Sequence, residues 1–233
     1  MAVAGVTSAV VLSPFIVTSP PTAVPGFVVA SGCLEALYVL ALSAAYRRGD
    51  LSLTYPIGRG TAPFLATIIG WIALGQRPAL VAALGAMGLG AGLVVLALDA
   101  RRTRSLEAVA FALLVGVTIA SYSVVDGRAV HQTSPLGYIG VSFALQGLIV
   151  AAVVRFDRDR LRAALKPGVQ ISLGSMGAYV MVLYAFRLAP VGRVATLREI
   201  SVLIAILLAN ERASKHRWLG AAMCVTGAIL AAL

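Results

Sequence analysis

Five ionisable residues stand inside stretches of this chain that are otherwise apolar: Glu35, Arg59, Asp126, Arg198 and Glu199. A charge at bilayer depth costs several kcal/mol, about 3 on insertion scales, unless it meets a partner or a wet cavity. Glu35 lies about 13 Å into its segment at 1.5 Å per residue, Arg59 about 9 Å, and Arg198 and Glu199 about 12–13 Å. Three chemistries fit such residues. They can pair with one another, Arg59 or Arg198 with Glu35 or Glu199. They can line a solute cavity, where arginine attracts an anionic group and glutamate holds an amine or a proton. Arg59 can also snorkel outward, and Asp126, at a span end, reads as interfacial. Tyr38, Tyr55, Tyr122 and Tyr179 are amphipathic rings that suit either a cavity wall or the membrane interface.

Other chemistries find little support. The two histidines, His131 and His216, and the two cysteines, Cys33 and Cys224, form no metal-ligand spacing and no disulfide framework. No nucleophile–base pair is recognisable, so neither an enzyme nor a cofactor is expected.

The elements that position these residues are membrane helices. Of 233 residues, 60% are hydrophobic and 12% charged, with a mean hydropathy of +0.94; soluble domains carry about 25% charged residues. Apolar runs recur at 2–18, 27–46, 53–75, 79–98, 106–125, 136–154, 168–187, 190–209 and 215–233. Each is long enough, or nearly so, to cross a hydrocarbon core of about 30 Å. The chain is therefore expected to be an all-α polytopic membrane protein of about nine helices. Alternating polar and apolar residues, the mark of a β-barrel, are absent from the sequence. The first run, rich in Val, Ser, Thr and Pro, competes with a signal peptide but lacks a basic leader. The charged stretch 155–168 reads as a surface helix or loop at the membrane face.

The net charge of +10 follows from topology, not from nucleic-acid binding. Numbering the loops alternately puts thirteen of the 19 basic residues on one side and four, Arg77, Arg128, Arg187 and Arg193, on the other. The first side is expected to be cytoplasmic, which leaves the C-terminus outside.

An internal repeat is also legible. Residues 75–98 align without gaps to 210–233, and Arg77, Leu84, Gly85, Ala86, Gly92, Ala97 and Leu98 each meet an identical residue 135 positions later. Upstream, "AYR" at 45–47 matches "AFR" at 185–187, and Arg59 lies opposite Arg198-Glu199. Gln76 stands where the second copy has Glu211. Gly85, Gly88 and Gly92 allow two backbones to approach. The copies are expected to be inverted in the membrane, with a site near the midplane.

The stretch "AYRRGDLSLTYPIGRGTAPFLATIIGWIALGQR", followed by "LGAMGLGAGLVVLAL", resembles the first repeat of EamA-type transporters in the drug/metabolite transporter superfamily. "IASYSVVDGRAV" and "FRLAPVGRVATLREISVLIAILLANERASKHRWLGAAMCVTGAIL" resemble the start and end of the second. The resemblance implies inverted five-helix repeats around a central cavity, here 1–104, matching from the family's second helix onward with the first apparently absent, and 105–233. It implies a secondary transporter of small metabolites, amino-acid- or drug-like, working in a bacterial inner membrane. Its partners would be the solute, a coupling proton or ion, and the lipid bilayer. A transport-inactive truncated scaffold is the alternative.

Overall fold

The computed structural model describes residues 2–49, 51–98, 106–154, 158–201 and 215–232. The described residues form helices and loops, with no strand among them. The helices are α1 (Ala2–Val11), α2 (Ser13–Thr18), α3 (Pro25–Arg48), α4 (Leu51–Leu74), α5 (Leu80–Leu98), α6 (Leu106–Ala129), α7 (Pro135–Val154), α8 (Arg158–Ala185), α9 (Val191–Arg198) and α10 (Lys215–Ala232). Five are long and apolar enough to cross a membrane: Pro25–Arg48, Thr54–Leu74, Leu106–Ala129, Pro135–Val154 and Arg162–Ala185. Shorter apolar helices run over Ala2–Val11, Leu80–Val95 and Trp218–Ala231. Large apolar side chains such as Val17, Ile72 and Met181 are 74–80% exposed, as lipid-facing residues are.

Some expected spans take a different form. The run 2–18 is two helices, α1 and α2, because Pro14 has no N–H to donate and its ring crowds the preceding turn. The Ser13 hydroxyl donates instead to Val10 O at 2.8 Å. The charged stretch 155–168 is not separate from the next span: from Arg158 onward it is the first part of α8, which runs through Pro167 without a break. In the span expected at 190–209, α9 ends at Arg198, and residues 202–209 lie outside the described residues.

The chain folds into two compact units, Met1–Leu40 with Val125–Leu188, and Ala41–Val124 with Ala189–Leu233. In the first unit α1 packs on α7 and α8, and α2 on α7. Small residues set these contacts. A Cβ on Gly147 would lie 3.0 Å from Gly5 Cα, and Ser8 and Ser172 hydroxyls hydrogen-bond at 2.8 Å. Ala2, Ala36, Val39 and Val150 form the apolar core there.

In the second unit α4 is wedged between α5 and α6 by two glycines. A Cβ on Gly58 would lie 3.1 Å from Ala112 O on α6, and one on Gly60 would lie 3.0 Å from Gly90 O on α5. The residue between those glycines is Arg59. The tightest pairing is α5 with α10, which run antiparallel. Gly85 opposes Gly227, and Gly92 opposes Gly220. Each glycine thus meets the repeat counterpart of the other, since 85 matches 220 and 92 matches 227. Between them Cys224 Sγ contacts the carbonyl of Leu89, its own counterpart, at 3.6 Å.

Overpacking a closed helix contact costs about 1–3 kcal/mol. A Cβ on Gly85 would come within 2.6 Å of Gly227 O and on Gly92 within 2.7 Å of Gly220 O, whereas at Gly88 the nearest atom, Gly227 Cα, is 3.7 Å away. Gly85→Val and Gly92→Val are expected to lower the apparent melting temperature of detergent-purified protein. Gly88→Ala should leave it unchanged or raise it.

Candidate functional site

Two buried polar clusters carry the ionisable residues, one in each unit. In the second unit Glu199 is 1% exposed. Arg59 Nη1 donates to its Oε1 at 3.1 Å and to Oε2 at 3.4 Å, and Arg198 Nε donates to Oε1 at 3.4 Å. The Arg59 guanidinium also lies over the Tyr55 ring, 5.4 Å from its centroid. That contact adds about 0.5–2 kcal/mol when desolvated. Tyr55 in turn packs on the Leu89, Leu93, Cys224 and Ala228 core.

Local sequence explains how these residues are held. Pro63 follows Arg59 by four positions, so the Arg59 carbonyl lacks the usual helical N–H partner. Thr61 and Thr67 hydroxyls donate to Ile57 O and Pro63 O at 2.9 and 2.8 Å along the same helix. On α9 the regular helix stops at Arg198, and Glu199 N–H turns back to Thr196 O at 3.2 Å. Irregular backbone at membrane depth is tolerated where protein buries it, and Glu199 is so buried.

In the first unit Asp126 is fully buried. Tyr138 donates its hydroxyl to Oδ1 at 2.7 Å, and Tyr179 donates to Oδ2. Phe27 O lies 3.2 Å from the same Tyr138 hydroxyl. Tyr179 stacks on Phe143, centroids 6.0 Å apart. Glu35, 4% exposed, neighbours Asp126, and its Oε2 has no hydrogen-bond partner. Ser31, one turn earlier on the same face of α3, lies beside Tyr138, and Ser142, one turn after Tyr138 on α7, also keeps a buried unpartnered hydroxyl. This cluster is made of oxygen atoms, which suits a cation or an ammonium group.

The structure thus brings Arg59, Arg198, Glu199 and Tyr55 together, and separately Glu35, Asp126 and Tyr179. Tyr38 packs against the Ala36–Val150 core of the first unit, and Tyr122 is buried in the second. Of the courses open to Arg59, pairing or snorkelling, the structure shows pairing with Glu199. Asp126, expected to be interfacial, is instead buried: α6 continues past it to Ala129, and two tyrosines supply donors. Tyr138, Ser31 and Ser142 were not among the expected residues. Tyr138 stands in the first turn of α7, where an aromatic ring reads as an interface anchor, and its spacing of twelve from Asp126 is not a helical period.

A profile of the EamA-like transporter family matches residues 106–233, more than half of the chain, and the chain belongs to that family. No curated protein matches the chain. Family membership and the apolar helices make it an integral membrane protein of a family that transports small solutes.

The Asp126 cluster gives a direct test of its polar bonding. Asp126→Leu removes the shared acceptor of the Tyr138 and Tyr179 hydroxyls, leaving Tyr138 only the Phe27 carbonyl at 3.2 Å; a lost buried bond costs about 1–3 kcal/mol, and the apparent melting temperature is expected to fall by several degrees. Asp126→Asn keeps an acceptor for one hydroxyl and should lose less than half as much.

Proposed function

We propose that the chain is a secondary transporter that moves small organic solutes, amino-acid- or amine-like, by alternating access across a bacterial plasma membrane. The reading starts from its membership of the EamA-like transporter family. The observation that carries it further is Glu35. A carboxyl at bilayer depth with Oε2 buried and unpartnered is costly to the fold. Its neighbour Asp126 already accepts from two tyrosines, so the open acceptor in this cluster belongs to Glu35. It is complementary to positive charge: the ammonium group of the solute, or the proton exchanged against it. Flux follows when this charge binds more tightly in one facing state than in the other.

Two further features support the mechanism. The crossed glycine pairs of α5 and α10, offset by 135 residues, are those that inverted copies at 1–104 and 105–233 would produce. The helix that carries Glu199 is interrupted at that residue, as discontinuous helices in transporters are.

Proteoliposome flux of a panel of amino acids and small amines tests the proposal. Glu35→Gln is nearly isosteric and removes the charge. Its expected phenotype is a flux at least tenfold below wild type with an unchanged or raised melting temperature. Wild-type flux in Glu35→Gln would contradict the reading. In the same assay Glu199→Gln and Arg198→Ala are expected to lower both flux and stability.

A further inference from the structure

A second polar feature of the second unit lies away from the buried clusters. A cavity of about 230 Å³ is lined by Thr67, Gln76, Arg77, Pro190, Gly192 and Arg193, among others. It opens where the α4–α5 loop meets the start of α9. The chain is brought there by Gly75, whose φ of +68° turns it out of α4, and by Gly192, which packs directly on Thr67. Two arginines from separate segments line the cavity, and no acidic residue is among its described lining residues. Neither guanidinium forms an ion pair or hydrogen bond with another described residue. Arg77 is exposed and Arg193 half-buried.

The side chain that could have neutralised this cavity is an uncharged one. Gln76 Oε1 accepts from the N–H of Val191 at 2.9 Å, so it caps α9 without adding charge. The matching position of the second copy carries Glu211. The next two amides of α9, those of Gly192 and Arg193, belong to a first turn whose N–H groups have no acceptor within the helix. Pro78, Ala79 and Ala82, at the start of α5, close the other side.

We propose that this cavity binds a phosphate group. Two guanidinium forks from different segments can each give paired N–H donors to a tetrahedral oxyanion, and the amide cap leaves their charge uncancelled. The setting favours a phosphate carried by lipid. Trp71 and Ile72, at the end of α4, and Leu80, at the start of α5, are 49%, 78% and 75% exposed. Acyl chains can lie on these residues while the headgroup reaches the arginines, and a tryptophan at this level is a usual interface anchor. A free phosphate or a phosphorylated solute offers the same chemistry.

The test uses the full chain in two settings. In detergent, the melting temperature is followed against inorganic phosphate, with chloride at matched ionic strength. In nanodiscs, phosphatidylcholine alone is compared with phosphatidylcholine plus phosphatidylglycerol. Wild type is expected to be stabilised by phosphatidylglycerol. Arg77→Gln and Arg193→Gln should each weaken the response about tenfold, the loss of one charge-assisted contact. Gln76→Glu keeps the cap and adds the missing negative charge, so it should weaken the response while preserving the fold. Arg128→Gln, an exposed arginine of the other unit, should respond as wild type does. Stabilisation by inorganic phosphate as well, lost in the same variants, assigns the cavity to soluble phosphates too. The proposal is overturned if neither probe stabilises wild type, or if the three cavity variants respond as Arg128→Gln does.

Discussion

A charge that cannot reach water must be answered inside the protein, and this requirement organises the second unit. Glu199 is nearly inaccessible and receives hydrogen bonds from two arginines that follow different routes to it. Arg59 arrives on α4, between Gly58 and Gly60. Those glycines let α4 sit against α6 and α5 at backbone distance, so the guanidinium is delivered by packing, not by a flexible reach. Arg198 arrives as the last residue of α9, and the break that follows turns Glu199 inward. In a low-dielectric interior, removing one partner of such a group costs about 3–5 kcal/mol.

The first unit solves the same problem differently. Asp126 is answered by two tyrosine hydroxyls, whereas Glu35 keeps one buried oxygen without a partner, as does Ser142. A fold selected for stability alone would close these positions with apolar residues or complete the network. Leaving them open sacrifices stability, which proteins commonly do where a ligand must bind. In the arginine-lined cavity beside α9, likewise, an amide takes a capping position that a carboxylate could fill.

Much of this was legible in the residues themselves. Membrane helices follow from apolar length, and close helix contact was readable from Gly85 and Gly92, which recur 135 residues later as Gly220 and Gly227. The pairing of Arg59 with Glu199 was among the expected combinations, because few partners exist at that depth. What sequence could not supply was which carboxylate each hydroxyl would meet. Tyr138 and Tyr179 reach Asp126 from α7 and α8, at separations of 12 and 53 residues, and no local period encodes such contacts. The kink after α1 was masked by the apolar run around Pro14, which reads as one span by hydropathy and as two helices by hydrogen bonding.

The central claim is that the charges at membrane depth are held inside the protein, those of the second unit by one another, and do not face lipid. A double-mutant cycle on Arg59 and Glu199, read as the apparent melting temperature of purified protein, tests it most directly. Arg59→Gln and Glu199→Gln should each destabilise, and the double variant should lose clearly less than their sum, with a coupling of about 1–3 kcal/mol. Additive losses, or single variants as stable as wild type, would mean that the two side chains do not share a buried bond and would contradict the account.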